Sequence, residues 1–574
     1  MYILGFNGAL HDSAAALIED GKLVAFVEEE RFNRKKHTFD YPKNAIDYCL
    51  AEAGITINEV DHAAFFWNPW EEIKHKLVPF LRHLPYTLSL FKKNSAINPF
   101  LKRIFSMITI ENKLKKMHNF NPEICKLKFH YIDHHLAHAA SAFFVSPFDE
   151  AAIFIADGYS EFASTMLAKG KDNMIQKIKT VIFPHSLGQL YGAVTEHLGF
   201  RICNGEGKVM ALASFGEARY RKIFDSLVNL NDDGTYWFDM SYLAYQYYGL
   251  RKVVSDKFVS FTHEKRNKED PILPSHEDLA ASLQENLEKN ISYILRKLYE
   301  ITGSDNLCYA GGVALNSVAN GKIKKISPFK NVFIQPSAND AGTALGACYY
   351  LYNAILKNER AFVFEHPYYG PKFTDEQCKI ALNSFKLDYE THEDIYSVTA
   401  NLIHNGKIVG WFQDRMEVGP RALGNRSILA NPTMAEMKDI LNHKVKHREG
   451  FRPFAPAIIE ERINDYFEAD DLAPYMLRVY PVREDKRDKI PAGCHVDGTG
   501  RVQTVSKKTN PNFYKLIESF EKLSGVPVLI NTSFNVQGEP IVCTPEDAIK
   551  CFLGTKMDAL VLNNFLVVKG SELQ

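Results

Sequence analysis

Apolar residues along this chain recur with two different periods, and the places where the period changes divide it. The first thirty residues run YILGFNG, SAAALIED, a turn at Gly21 and LVAFVEEE, which predicts three strands joined by tight turns. A second series opens with AAIFIADGYSEFASTMLAKG and continues into MIQKIKTVIF. Each series places a hydrophobic strand before a turn of small residues, Gly5 to Ala9 in the first and Asp157 to Ser160 in the second. The weak repeat predicts two related α/β lobes with a cleft between them, where turns from both can meet one ligand. From about His276 to Ile301 the period lengthens to that of an amphipathic helix, EDLAASLQENLEKNISYILRKLYEI. Two units of strand, small-residue turn and helix follow, NLCYAGGVALNSVAN and NVFIQPSANDAGTALGACYYLYNAIL. Such turns present backbone N–H groups at a helix start, where phosphates and nucleotides bind. The charges, prolines and glycine of NERAFVFEHPYYGPK, residues 358–372, interrupt the pattern. The expectation is an α/β domain over 1–360 and a second over 365–574.

Composition changes this picture in few places. At 574 residues the chain is too long for one core, and 46% hydrophobic with 24% charged residues is the balance of a folded protein. A formal net charge of -1 gives no global reason to bind nucleic acid. The nine cysteines are never spaced as CxxC, so neither a disulfide framework nor a zinc knuckle is suggested, and a reducing cytoplasm fits. MYILGFNGAL lacks the basic and long apolar regions of a signal peptide, and no apolar run reaches the ~20 residues of a membrane span. One stretch departs from the average: between Lys74 and Met117 there are ten Lys or Arg and one acidic residue, Glu111. Interleaved with PFLRHLPYTLSLF and NPFLKRIFSMITI, it reads as an inserted helical cap within about 68–130.

The first candidate chemistry is DHHLAHAASAF, residues 133–143. On a helix His134 and His138 stand at i and i+4, so both imidazoles leave one face, whereas His135 points elsewhere. A pair of histidines needs further ligands to make a metal site. Asp157 ends the strand AAIFIA and Asp340 follows NVFIQP across a short turn, so each can project a carboxylate into a cleft at strand ends. Two histidines and two aspartates without thiolate suit iron, manganese or zinc. HHLAH lacks the glutamate of HExxH, so a metallopeptidase is disfavoured.

In order along about residues 3–567 stand HDSAAALI, EEERF, DHHLAHAASAF, DGYSE, EGKVMALASFG, GGVALNS, NDAGTALGA, GPRALGNRS, REGFRPFAPAI, HVDGTGR and NTSFN. In this motif series the chain resembles the NodU/CmcH family of O-carbamoyltransferases. The resemblance implies an amino-terminal actin-like (ASKHA) domain, akin to tRNA threonylcarbamoyl transferases, followed by a YrdC-like domain of the kind that forms acyl-adenylates. It also implies that His134, His138, Asp157 and Asp340 hold a divalent metal, iron first, with manganese or zinc as alternatives. The implied chemistry joins carbamoyl phosphate and ATP, the latter with magnesium, into a carbamoyl-adenylate and pyrophosphate. The carbamoyl group then passes to a hydroxyl of a small-molecule acceptor, a sugar or an antibiotic, and AMP leaves.

Bringing two polyanions together requires several cations, and planar Arg forks suit phosphates. The second domain offers Arg415, Arg421 and Arg426, then Lys446, Arg448 and Arg452, then Arg501. Asn531 and Ser533 of NTSFN add small donors after the strand VPVLI. In the first domain Gly311, Gly312 and Asn316 resemble an adenosine-binding turn, and Gly158 a phosphate-loop turn. His11, just beyond the first strand, is the candidate base for the acceptor hydroxyl, with Asp12 as the alternative; Lys208 is a candidate to neutralise phosphate. The rival reading is a tRNA threonylcarbamoyl-type enzyme, against which the near-zero net charge weighs. No nucleic-acid partner is expected, and a homo-oligomer is compatible with the sequence. The insertion is expected to help shape the acceptor pocket, and its basic, apolar makeup suits an anionic or lipid-linked sugar.

Overall fold

The computed structural model describes residues 1–82 and 97–570. Residues 83–96, inside the basic stretch noted above, lie outside the described residues, as do 571–574.

The first sheet is built from β1 (Tyr2–Asn7), β2 (Ala14–Glu19), β3 (Lys22–Glu28), β4 (His62–Phe65) and β5 (Lys128–Tyr131), in the order β3-β2-β1-β4-β5. The second takes β6 (Glu150–Ala156), β7 (Ala163–Lys171) and β8 (Met174–Ile182) from the second series. A small hairpin follows, β9 (Val228–Leu230) with β10 (Tyr236–Phe238), and then β11 (Asn306–Ala310) and β12 (Asn331–Ile334) complete the sheet as β12-β11-β6-β7-β8. The two sheets have one topology. In each, the leading strand pairs antiparallel with the strand after it and parallel with a later one, and a further parallel strand closes the edge. The weak sequence repeat is therefore present as a structural duplication.

Strand sequences follow their places in these sheets. β1 and β6 are central, covered on both faces, and read as continuous apolar runs, while β8 is an edge strand whose exposed side carries Lys177 and Lys179. The basic stretch is the crossover between the parallel strands β4 and β5, with helices over Pro69–Arg82, Ile97–Ile108 and Ile110–Met117. It ends before Lys128, because residues 128–131 pair with β4 as the edge of the first sheet rather than belonging to the insertion.

Between the lobes the helices His134–Phe143 and Ala341–Tyr349 cross. A Cβ at Gly346 would stand 1.7 Å from the Ala137 carbonyl oxygen, so only glycine allows this approach. The amphipathic helix is Pro274–Thr302, capped by Gly303 at φ 63°, and its apolar face covers the second sheet. One expectation changes: after β11 the chain makes only short helical turns, Gly312–Leu315 and Ser317–Asn320, instead of a full helix. The Asn316 side chain accepts the Ala319 N–H and Asn320 donates to the Ala314 carbonyl, folding this segment back on itself.

The third sheet combines β13 (Glu390–Thr391), β14 (Val409–Phe412), β15 (Arg426–Ala430), β16 (Ala455–Ile459), β17 (Arg478–Pro481), β18 (Thr499–Val505), β19 (Val528–Ser533), β20 (Ala559–Leu562) and β21 (Phe565–Val568). Their order is β13-β21-β20-β14-β15-β19-β16-β18-β17. Helices Ile395–His404 and Pro511–Ser524 cover one face, Asp375–Ser384 and Pro545–Leu553 the other. Both faces bury apolar side chains, Trp411 among them, each worth about 2 to 3 kcal/mol. Among the described residues no helix is long and apolar enough to cross a membrane.

Candidate active site

Four buried side chains converge where the two lobes meet. Asp133 starts the helix His134–Phe143 by accepting the Leu136 N–H at 3.0 Å, which leaves His134 and His138 one turn apart on one face. Asp157 arrives from the end of β6 and Asp340 from the residue before the helix Ala341–Tyr349. His134 Nε2 lies 3.0 Å from Asp157 and 3.7 Å from Asp340; His138 Nε2 lies 3.7 and 3.8 Å from the same two carboxylates. All four ligand atoms fall within 4.8 Å of one another. These separations approach the edges, about 3 to 3.5 Å, of a coordination shell with bonds of about 2.1 Å. His138 Nε2 is fully buried without a hydrogen-bond partner, so an ion would satisfy an otherwise orphaned atom. Burial pulls the His138 imidazole down, but the facing carboxylates of Asp157 and Asp340 outweigh it and hold its pKa up at about 9. The donor set thus fits a divalent cation. His135 is buried too, and among the described residues neither of its ring nitrogens has a hydrogen-bond partner.

Backbone and side-chain hydrogen bonds hold this cluster in place. The Gly312 N–H donates to Asp157 Oδ1 at 3.0 Å, and Asn7 donates to the carbonyls of Asp340 and Asp12, both at 2.9 Å. Glu161 accepts the N–H groups of His134 at 3.1 Å and Asn68 at 2.8 Å.

His11 stands beside the cluster, its Nδ1 3.0 Å from Asp12 and its Nε2 3.9 Å from Asp340. Asp12 is already engaged on both oxygens, by His37 Nδ1 at 2.6 Å and by Asn339, which donates at 2.8 Å. Burial raises the Asp12 carboxyl, yet its hydrogen bonds to His11 and His37 outweigh that and hold it well below the usual range. Burial alone would lower His11; the charges of Asp340 and Asp12 lift it well above the usual value. Of the two candidate bases, Asp12 is thus placed to orient His11. Asp12, Glu30 and His37 also form a compact set, but the His37 N–H and Arg31 already occupy Glu30.

A single cavity of about 2050 Å³ joins this cluster to the second domain. Gly158, Gly312, Asn316 and Lys208 line it on the first-domain side. Gly311, beside them, has φ +94°, and a Cβ there would meet the Ala156 carbonyl oxygen at 2.3 Å. On the far wall stand Arg421, Arg448, Arg452 and Arg501, with Asn531 and Ser533. Among the described residues, the side chains of Arg421 and Arg501 have no hydrogen bond or ion pair, and both Nε atoms are buried without a partner. Burial and the neighbouring Arg452 pull Arg421 down to about 10 and Arg448 to about 9; burial and Arg421 do the same, more strongly, to Arg501. Glu449, next to Arg448 in the chain, is shared by Lys208 at 2.8 Å and Arg452 at 3.6 Å. Positive charge is therefore left uncompensated in an enclosed space, which is a site for a polyanion.

Other expected residues lie elsewhere. Arg415 spends its fork on the carbonyls of Gly370 and Tyr369, the Tyr48 hydroxyl and Glu52. Arg426 is fully buried, donates to the carbonyls of Gln413 and Pro371, and lies 3.6 Å over the Phe412 ring. Lys446 is held by the Ser533 carbonyl at 2.5 Å and Asn535 Oδ1 at 2.8 Å, bracing the NTSFN turn. Expected among the phosphate ligands, these three cations instead satisfy protein acceptors, as buried cations must. Sequence reasoning missed Lys36, which lines the cavity close enough to Arg452, Arg31 and Arg421 for their charge to lower it, burial being the main cause. The RKKH run after EEERF was its signal. His37, Asn339, Glu161 and Glu449 were missed as well, since only their neighbours in space mark them.

Known proteins show the family to which the chain belongs. The carbamoyltransferase N-terminus family model matches residues 2–349, and the carbamoyltransferase C-terminus model matches 400–569. The chain is 42% identical to an uncharacterized protein of Synechocystis over 100% of this chain and 97% of that one. It is 38% identical to the nodulation protein NolNO of Sinorhizobium fredii, over 98% of this chain and 80% of that one. To nodulation protein U of Rhizobium tropici it is 28% identical, over 97% and 95%. Among solved structures, component A of the (R)-2-hydroxyglutaryl-CoA dehydratase of Acidaminococcus fermentans is similar over 61% of this chain and 97% of that one. Its 13% identity and TM-score of 0.30 are too low to carry an argument. Matched by the two models over most of its length, the chain belongs to the carbamoyltransferase family and is an enzyme of carbamoyl transfer.

Proposed function

We propose that this enzyme makes a carbamoyl-adenylate from carbamoyl phosphate and ATP, and passes the carbamoyl group to a hydroxyl of a small-molecule acceptor. The observation that carries this reading is one cavity with an uncompensated arginine cluster at one end and a buried two-His, two-Asp set at the other. In the first half-reaction Arg421, Arg448, Arg452 and Arg501 bind phosphate oxygens, with Lys36 reaching in from the first domain. Asn531 and Ser533 supply further polar contacts. Balance requires that water release the phosphate of carbamoyl phosphate, and that the resulting carbamate oxygen attack the α-phosphorus of magnesium-bound ATP while pyrophosphate leaves.

In the second half-reaction the acceptor oxygen attacks the carbamoyl carbon and AMP leaves. In its neutral form, favoured once the charge of Asp340 is compensated, His11 takes the hydroxyl proton at Nε2, and Asp12 holds the other ring nitrogen, as a carboxylate does for a catalytic imidazole. Gly158, Gly311, Gly312 and Asn316 form the turns along which the nucleotide lies, and Lys208 adds charge between the two ends. A divalent ion on His134, His138, Asp157 and Asp340, iron in first place, would supply Lewis-acid polarisation. The duplicated lobe topology supports an actin-like first domain, and the large mixed sheet beyond residue 390 a YrdC-like second domain. All nine cysteines are unpaired, which suits a cytoplasmic enzyme.

The test is pyrophosphate release from ATP by the purified protein, with and without carbamoyl phosphate. Release is expected to require carbamoyl phosphate and to fall in Arg421→Ala about 10- to 100-fold, the loss of one charged contact of about 1.5 to 3 kcal/mol. Release indifferent to carbamoyl phosphate, or to Arg421, would overturn the adenylation step.

A further inference from the structure

The cavity lining includes a run of aromatic residues, here called the aromatic arm, to which neither half-reaction gives a role. The Trp67 ring lies 5.0 Å from that of His134, Tyr159 6.3 Å from Trp67, Phe183 6.0 Å from Tyr159, and Tyr245 6.1 Å from Phe183. This ladder leads from a buried candidate metal ligand towards the surface, and Tyr159 is within electrostatic reach of His11 and Asp340. At its outer end Phe183 is 38% exposed, Tyr248 53% and Tyr247 78%, and all three face the cavity. Exposed aromatics that line an active-site cavity mark a binding surface. On the neighbouring wall His75, from the insertion, stacks on Phe162 at 3.8 Å and so closes that side of the arm.

Charge narrows what the arm can take. On the segments that carry the ladder, 159–162, 182–183 and 245–251, the charged residues facing the cavity are Arg251 and Glu161. Glu161 is fully buried, with Oε1 accepting two N–H groups and Oε2 without a partner among the described residues, whereas Arg251 is exposed. Arg103 adds a second cation to the lining, paired with Glu72 behind Trp67. The arm is thus apolar with a neutral to positive rim, unsuited to a polycation.

We propose that this arm is the acceptor subsite and that it takes a neutral or anionic amphipathic alcohol. Its apolar portion lies on Phe183, Tyr247 and Tyr248, and its hydroxyl reaches His11. The assignment rests on the carbamoyl-transfer reading for the role of that hydroxyl, but binding can be measured without catalysis. Octyl glucoside below its micellar concentration, methyl glucoside and a cationic glucosamine trimer are titrated into the intact protein and followed by calorimetry. The same titrations are made with the Phe183→Ser, Tyr247→Ser, Tyr248→Ser triple variant.

The octyl compound is expected to bind at least tenfold tighter than the methyl compound and the trimer, and the variant is expected to lose that preference. Carbamoyl phosphate-dependent pyrophosphate release by the same variant reports an intact fold and arginine end; if it is lost, Tyr247→Ser alone replaces the triple variant. Equal binding of the three compounds, or a preference that survives the substitutions, overturns the subsite. A wild-type protein that binds octyl glucoside selectively but releases no pyrophosphate would overturn the adenylation step and leave the subsite standing.

Discussion

His138 Nε2 is enclosed without a hydrogen-bond partner and faces two carboxylates at 3.7 and 3.8 Å, an arrangement that a cation relieves at every atom. Replacing His138 or Asp340 by alanine is expected to reduce bound metal from about one equivalent per chain to background, by elemental analysis of purified protein. Unchanged metal content in both variants would remove the assignment. At the other end of the cavity Arg448 has a pKa of about 9, depressed by burial and Arg452. A folded pKa below the unfolded value means the charged form is penalised in the empty fold, and the penalty is relieved as pH rises past about 9. The ligand-free protein therefore gains stability from this group there, while anion affinity falls. Sulfate, which does not titrate in this range, should bind progressively more weakly from pH 8 to about 10 in calorimetry.

The candidate metal ligands depend on two helices that approach closely at Gly346. With a Cβ at Gly346 only 1.7 Å from the Ala137 carbonyl oxygen, Gly346→Ala must push His134–Phe143 away from Ala341–Tyr349 and carry His134 and His138 away from Asp340. The expected outcome is a lower melting temperature, from a cost of about 1 to 3 kcal/mol or more, together with metal loss. A variant that melts earlier but keeps its metal would show that the helix crossing does not position the ligands. The end of the helix Leu187–His197 offers a second measurement. His197 stacks on His263 at 5.1 Å, and burial first, then the charge of His263, lowers it to about 4. Its neutral form therefore contributes stability that is present above about pH 6.5 and lost as pH falls towards 4. Urea midpoints should drop across that window, and less steeply in His197→Phe.

Across the whole molecule the two domains are tied by contacts between residues far apart in the chain. Arg34 donates to the carbonyls of Ile541 at 2.6 Å and Pro540 at 2.8 Å; the Gly419 N–H donates to Glu28, and Arg31 to the Gly419 carbonyl. Lys208, which lines the cavity, forms a bridge with Glu449 of the second domain. Lys208→Met and Glu449→Gln are expected to impair carbamoyl transfer less than additively when combined, with a coupling energy of about 1 kcal/mol. Strict additivity would mean that the bridge does not couple the domains.

Some of this was legible in the sequence because it is local. Alternation and helical spacing placed the two β series, the helix about His276–Ile301 and the pairing of His134 with His138, since side-chain direction follows backbone period. Meeting points were not legible. Arg415 and Arg426 stand in the same segment as Arg421, yet the first two satisfy carbonyls, a hydroxyl and Glu52 while Arg421 faces the cavity unpaired, because distant strands and turns decide which acceptors arrive. Lys36 joins the arginines only through the docking of two domains, and the aromatic arm gathers rings from residues 67, 159, 183 and 245. By itself the sequence determined which chemical groups the chain carries and in which local elements. The tertiary structure decided which of them share an enclosed space, because burial and charge compensation depend on neighbours that no stretch of sequence contains.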